Sequence, residues 1–213
     1  MISLNAEIAE HKKASQHGDM PDPFNLVISQ SSFPPQPKVG AVAPKFNLPN
    51  QSGELISLDG LIKQGPVILS FFKGDWCQVC DLELKALQRS LPEFEKYGAI
   101  VLGVSPHTVS ISYQLKEKKQ LSYTILSDAG NKIAEQYGLR FPMNNMLLDI
   151  FKSFGVDNMA MIHGDNGTDT NTLAIPGTFV IDSGGKIVFA FADSDHTQRA
   201  EPADIVACLA SIS

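Results

Sequence analysis

The chain has 213 residues, 43% of them hydrophobic, enough for one sizeable core plus an extension and short of two full domains. Lys and Arg total 17 against 23 Asp and Glu, giving a net charge of −6 and a pI near 5.3, which excludes the basic footprint that nucleic acid or anionic lipid requires. No apolar window approaches the roughly 18 residues of a membrane span, and MISLNAEIAEHKK lacks the basic-then-apolar pattern of a leader.

Three cysteines cannot form a closed disulfide framework, so a cytoplasmic, reducing setting is expected. Residues 3–17 read as a short polar helix, and five prolines between positions 21 and 37 mark an extended arm. The expected division is therefore an N-terminal helix and Pro-rich arm over 1–37 and a single domain over 38–213. KFNLPNQSGELISL alternates around a Gly-containing turn, as a small β-hairpin does.

PVILSFF (66–72) is a continuous apolar run, the pattern of a strand covered on both faces. A helix follows over about 78–96 and ends at Gly98, and AIVLGVS (99–105) is a second buried strand, which completes a right-handed parallel βαβ unit. VSISYQLKEKKQ reads as a helix and SYTIL as a short strand, while Asp128 is placed to cap a helix that runs through Glu135 and Tyr137 and stops at Gly138. Residues 142–154 read as another helix and HGDNGTDTNT (163–172) as a loop.

TFVID and KIVFAF flank Ser183-Gly184-Gly185 as a hairpin. Pro202 opens a last helix with Ile205, Cys208, Leu209 and Ile212 on one face. This order predicts an α/β fold, a central mixed sheet with helices on both faces.

The stretch FFKGDWCQVCDLELKAL (71–87) carries the chemistry, because it delivers Cys77 to the start of a helix and Cys80 to its first turn. Free N–H groups and the positive end of the helix dipole favour a thiolate there, and such settings bring a thiol pKa from about 8.5 to roughly 3.5–7.5. Cys80 shares a face with Leu84, Leu87 and Leu91 and is expected to point toward the sheet, while Cys77 sits at the cap and meets solvent. Asp75 and Asp81 oppose thiolate formation and Lys73 favours it. A zinc site would need four ligands, yet no second CxxC or closely spaced HxxxH exists; a structural disulfide across so short a loop would stabilise little. A redox-active dithiol is the favoured reading.

With these residues in place, the chain from Val39 onward resembles the thioredoxin-fold redoxins, specifically the peroxiredoxin-like branch of alkyl hydroperoxide reductase and thiol-specific antioxidant proteins. VGAVAPKFNLPNQSGELISL, GPVILSFFKGDWCQVCDLELKALQ, LGVSPHT, LSDAGNKIAEQYGL, IPGTFVIDSGGKIVFAF and DHTQRAEPADIV carry the resemblance in that order. Two departures stand out. Against the Pro-x-x-x-Thr-x-x-Cys motif of typical peroxiredoxins, Cys80 holds the attacking position, Cys77 that of the threonine and Lys73 that of the proline; against the WCPYC of the nearer branch, this chain reads WCQVC. Alignment thus nominates Cys80 as attacker, while the cap position and the thioredoxin-like CxxC nominate Cys77, which is preferred on thiolate access.

The resemblance implies a thioredoxin-like fold and an antioxidant thiol oxidoreductase that reduces peroxides or disulfides. It implies a thioredoxin-like or glutathione-based donor and no metal or organic cofactor, and it is compatible with a homodimer. It also implies a cis Ile175–Pro176 bond against the pair, with Thr178, Trp76 and Lys73 lining the site. His107, just past the second parallel strand, could approach the site, but a lone surface histidine is the favoured reading; Arg199 could meet an anionic or peroxide substrate, since peroxiredoxin sites use an arginine, but it is not at their usual position and a surface salt bridge or helix-start contact is favoured. Cys208 is read as a core residue, and His163 beside Asp165 as an incomplete metal set. The competing class is a non-enzymatic redox sensor or binding module whose surface answers to the Cys77–Cys80 disulfide.

Overall fold

The computed structural model describes residues 3–14, 35–146, 148–149, 166–167 and 171–213. Its elements are α1 (Leu4–Ala14), β1 (Asn47–Pro49), β2 (Leu55–Ser57), α2 (Leu58–Leu61), β3 (Val67–Phe71), α3 (Gln78–Glu95), β4 (Ile100–Ser105) and α4 (Val109–Lys119). Then come β5 (Thr124–Ser127), α5 (Lys132–Gln136), β6 (Arg140–Pro142), β7 (Thr172–Ala174), β8 (Gly177–Ile181), β9 (Ile187–Ala192) and α6 (Pro202–Ile212).

The main sheet has the order β5-β4-β3-β8-β9, with β3, β4 and β5 mutually parallel and β8 and β9 antiparallel. Every residue of β3 is buried, as its apolar run requires when helices cover both faces. Its alternation divides the core. Val67, Leu69 and Phe71 face a cluster with Tyr137, Phe141 and Phe179, and Ile68 and Phe72 face α3 and α6. Ser70 lies on that second face, fully buried, and the antiparallel register sets it opposite Thr178 of β8.

The β1–β2 hairpin, the βαβ unit and the β8–β9 hairpin form where the sequence places them. Gly98 ends α3 region with φ +64, the left-handed conformation that glycine adopts without a Cβ penalty. Two short strands are additions. Pro142 closes β6 rather than opening a helix, and Thr172 begins β7, its antiparallel partner. Three-residue strands, one of them ending in a proline, carry no readable period. Of the helix expected over 142–154, residues 145, 146, 148 and 149 are helical, 142–144 are not, and 147 and 150–154 lie outside the described residues, as does most of the loop expected over 163–172.

Helix α1 packs against the domain, with Leu4 and Ile8 buried in the same cluster as α3 and α6. The Glu201 carboxylate caps it, accepting from Leu4 N–H at 3.0 Å and Asn5 N–H at 2.7 Å, and Glu7 pairs with Arg89 of α3. Residues 15–34, most of the expected Pro-rich arm, lie outside the described residues. Among the described residues no helix is long and apolar enough to cross a membrane.

Candidate active site

Strand β3 ends beside the loop Lys73-Gly74-Asp75-Trp76, which turns into α3 through a hydrogen bond from Cys77 N–H to the Gly74 carbonyl at 3.2 Å. A Cβ at Gly74 would stand 2.7 Å from Trp76 Nε1 and 2.8 Å from His107 Nε2, so only glycine fits the turn. Cys77 is the N-cap of α3, its φ −90° and ψ 104° extended, and its sulfur accepts from Cys80 N–H at 3.2 Å. The two cysteines form a disulfide with their Cα atoms 5.2 Å apart.

Cys80 points inward as its helical spacing predicts and is fully buried. Cys77 does not stand open to solvent: it is 6% exposed and belongs to the core cluster of Cys80, Leu84 and Leu87, against which Trp76 packs. Leu84 and Leu87 share the buried face of Cys80, and Leu91 packs at its edge.

The largest departure from the sequence reading is Arg199. It is neither a surface ion pair nor a helix-start contact, since it is 3% exposed and directs Nη2 to Cys80 Sγ at 3.6 Å. Its Nε lies 2.6 Å from Glu83 Oε2, and Nη1 donates to the carbonyls of His196 and Gln198. Glu83 in turn accepts at Oε1 from Ser70 Oγ at 3.3 Å and Thr178 Oγ1 at 3.2 Å. The β3–β8 register thus builds two hydroxyls under one carboxylate, which holds the guanidinium on the sulfur.

Burial pushes the Glu83 carboxyl up and is opposed by the charge of Arg199; burial pushes the Arg199 guanidinium down and is opposed by Glu83. Glu83 itself was a signal within the sequence. A carboxylate on the apolar face of Cys80, Leu84 and Leu87 demands a buried cation, although nothing local says which one.

Lys73 is 3% exposed and lies 5.7 Å above the half-buried Trp76 ring. His196 is buried nearby, and burial together with the charges of Lys73 and Arg199 lowers its pKa to about 2. Arg199 is thus the cation in contact with the pair, and Lys73 lies over the Trp76 ring next to it in sequence. Thr178 reaches the site through Glu83, and Pro176 precedes Gly177, the residue paired with Phe71 at the end of β3.

The Ile175–Pro176 bond is trans, contrary to the expectation of a cis bond. Ile175 N–H donates to the Leu139 carbonyl at 2.7 Å, and Gly177 is in ladder register, so the chain runs extended on both sides of the proline.

His107 is likewise not a surface residue. It is fully buried, stacks edge-on to Phe72 at 6.3 Å, and accepts at Nε2 from Asp75 N–H at 3.4 Å. Burial lowers its pKa to about 4 against the pull of Asp75, so the ring is neutral and serves as an acceptor for the loop backbone. Asp75 and Asp81, which flank the pair, are both bound by Lys119, at 2.7 and 2.8 Å. Burial would raise both carboxyls, but the lysines lower them on balance.

Cys208 is half-buried on α6 and donates to the Val188 carbonyl at 3.6 Å; Ile205 and Leu209 fill the core while Ile212 is exposed. His163 and Asp165 lie outside the described residues, among which no group of three or more His, Cys, Asp or Glu side chains converges as metal ligands.

Residues 39–190 match a family model described as the AhpC/TSA family. Peroxiredoxin Q, chloroplastic, of Gentiana triflora is 35% identical over 126 residues, which cover 54% of this chain and 58% of the relative. Peroxiredoxin Bcp of Escherichia coli K12 is 33% identical over 102 residues, covering 48% of this chain and 65% of the relative. Across such curated relatives the aligned stretch spans between 46% and 70% of their own length.

Among solved structures, Peroxidoxin BcpB from Mycobacterium tuberculosis superposes with a TM-score of 0.66 at 23% identity, covering 84% of this chain and 99% of that one, a likeness of fold. The six ordered sequence motifs, the mixed sheet with its strand–loop–helix junction, and the family match over most of the chain converge: this protein belongs to the AhpC/TSA family and has the thioredoxin-like fold of the peroxiredoxins.

Proposed function

We propose that the protein is a thiol peroxidase that cycles through the Cys77–Cys80 disulfide, with Cys80 as the attacking sulfur. The observation that carries this reading is the Arg199 contact with Cys80 at 3.6 Å, in a chain whose family relatives are named peroxiredoxins. A guanidinium fixed on one sulfur stabilises its thiolate and supplies donors toward the oxygen on which charge develops as the peroxide bond breaks. Cys77 receives a backbone N–H at the helix cap and stands one helical turn away, as a resolving thiol must.

The cycle balances as follows. The Cys80 thiolate attacks one peroxide oxygen, the O–O bond breaks, and the other oxygen leaves as water or alcohol after protonation. The sulfenic acid on Cys80 is then attacked by the Cys77 thiol; an S–S bond forms and water departs. A thioredoxin-like or glutathione-based dithiol donor returns two electrons and two protons. No metal or organic cofactor is needed for these steps, and Trp76, Lys73, Pro176 and Thr178 serve as site-lining residues. Three cysteines without a closed disulfide framework and the need for reduced thiols favour a reducing compartment such as the cytoplasm, and a homodimer is compatible with the cycle.

A second reading has its own support. Cys77 is the more exposed residue of the pair, at 6% against 0% for Cys80, and it occupies the cap, which suits disulfide exchange initiated at Cys77. Thioredoxin-coupled NADPH consumption distinguishes the two: turnover with hydrogen peroxide or an organic hydroperoxide is expected, whereas turnover with insulin disulfides alone would replace the peroxidase reading with exchange. A chain that turns over neither would be a redox sensor or binding module.

A further inference from the structure

We propose that Lys119 is a positioning residue for the redox pair: its ammonium binds both carboxylates that flank the CxxC and keeps their charge from suppressing the thiolate. Lys119 closes α4 and reaches across to the active-site junction, where Nζ lies 2.7 Å from Asp75 Oδ1 and 2.8 Å from Asp81 Oδ1. Asp75 stands inside the turn closed by the Cys77 N–H···Gly74 hydrogen bond, and Asp81 N–H donates to the Cys77 carbonyl at 3.0 Å. The two carboxylates therefore sit on either side of the helix start that is to stabilise a thiolate, and left unpaired they would work against it.

Each carboxylate has a second lysine, Lys118 for Asp75 and Lys85 for Asp81. Those lysine side chains are 69% and 51% exposed, so water screens them; the Lys119 side chain is 10% exposed. Lys119 also joins the loop before Cys77 to the helix after Cys80. With all three lysines present the group carries an excess of positive charge, and without Lys119 two carboxylates face only solvent-screened partners. Lys73, the Arg199–Glu83 pair and the neutral His107 and His196 also surround the pair, and all are retained in the variants below.

The consequence is directional. A disulfide has no sulfur to titrate, so the charge of Lys119 acts on the reduced state alone, favouring thiolate and making the disulfide easier to reduce. This rests on the reading that Cys77 and Cys80 cycle between dithiol and disulfide, and it does not depend on which substrate oxidises them.

The test compares the full chain with Lys119→Met, Lys119→Arg and Asp75→Asn/Asp81→Asn/Lys119→Met, which removes both carboxylates together with the ammonium. Two readouts are used: iodoacetamide alkylation near neutral pH, resolved by peptide so that Cys208 does not contribute, and equilibrium with a glutathione redox buffer. Lys119→Met is expected to slow alkylation about three- to tenfold, the size of a shift of about 0.5–1 pKa unit from a nearby charge, and to move the equilibrium toward disulfide. Lys119→Arg should match the natural protein, and the triple variant, with neither carboxylate left to oppose the thiolate, should not show the slowing.

Should Lys119→Met fail to fold, Asp75→Asn/Asp81→Asn carries the test in the opposite sense and should be alkylated faster than the natural protein. Unchanged alkylation and equilibrium in these variants, or an arginine variant that behaves like methionine, would overturn the role of Lys119. A natural protein that never exchanges with glutathione would instead remove the dithiol–disulfide reading itself.

Discussion

Replacing Arg199 by Met probes stability and chemistry together. The guanidinium is 3% exposed, 2.6 Å from Glu83 and 3.6 Å from Cys80, so its removal leaves a fully buried carboxylate with only the hydroxyls of Ser70 and Thr178. Breaking such a pair by removing one partner costs about 3–5 kcal/mol, because the remaining charge is stranded. Glu83 responds by protonating: burial already pushes its carboxyl up, and without Arg199 it moves further. A carboxyl whose folded pKa exceeds its unfolded pKa binds more protons in the folded state, so stability falls as pH rises between the two values.

Arg199→Met is thus expected to lose most stability above neutral pH and to recover part of it toward pH ~5, still above the usual range of an unfolded Glu carboxyl. Arg199→Met/Glu83→Gln should regain stability at all pH values, since no charge is left behind. The double variant should nonetheless stay slow toward peroxide, by about 100-fold or more if the guanidinium acts as a transition-state donor. Urea unfolding at several pH values and single-turnover oxidation by hydrogen peroxide provide the readings. A loss below about 1 kcal/mol, no relief in the double variant, or an unchanged oxidation rate would refute the reasoning.

Further consequences follow from the same geometry. His107 is held neutral with a pKa of about 4 against 6.5 unfolded, so its contribution is complete above pH ~6.5 and is lost as pH falls toward 4, a span of about 3 kcal/mol; His107→Gln should flatten that part of the stability–pH curve, and an identical slope would contradict it. Gly74→Ala places a Cβ 2.7 Å from Trp76 Nε1 and should destabilise by about 1–3 kcal/mol while slowing oxidation, measured by urea unfolding and stopped flow. Leu4→Ala should cost about 2–4 kcal/mol, because α1 is packed into the core; a loss near zero would show α1 to be dispensable.

Local pattern made the frame of the fold legible. The apolar run 66–72 gave β3, Gly98 marked the end of the α3 region, and the spacing of Cys80, Leu84 and Leu87 gave the inward face on which the second sulfur lies. What the pattern left out depends on distant packing. Arg199 meets Cys80 across 119 residues of chain, and no local property of DHTQRAEPAD distinguishes a buried guanidinium from a surface one. The burial of His107 has the same kind of origin: the loop at Gly74, thirty-odd residues earlier, folds against it beyond the end of β4.

The cis bond expected at Pro176 came from the resemblance rather than from the residues, and the extended backbone on either side of that proline overrides it. The charges around the pair could be named from sequence but not summed. Their balance required seeing Lys119 on both aspartates and Arg199 on Cys80.

The most direct measurement of the central claim is the site of the first oxidation. Reduced Cys77→Ser and Cys80→Ser proteins are mixed with one equivalent of hydrogen peroxide and a sulfenic acid trap, and the labelled peptide is identified by mass spectrometry. Attack by Cys80 predicts rapid labelling of Cys80 in Cys77→Ser and no fast reaction in Cys80→Ser. Fast sulfenic acid formation on Cys77 in Cys80→Ser, with Cys80 inert in the other variant, would contradict it and make Cys77 the attacking sulfur.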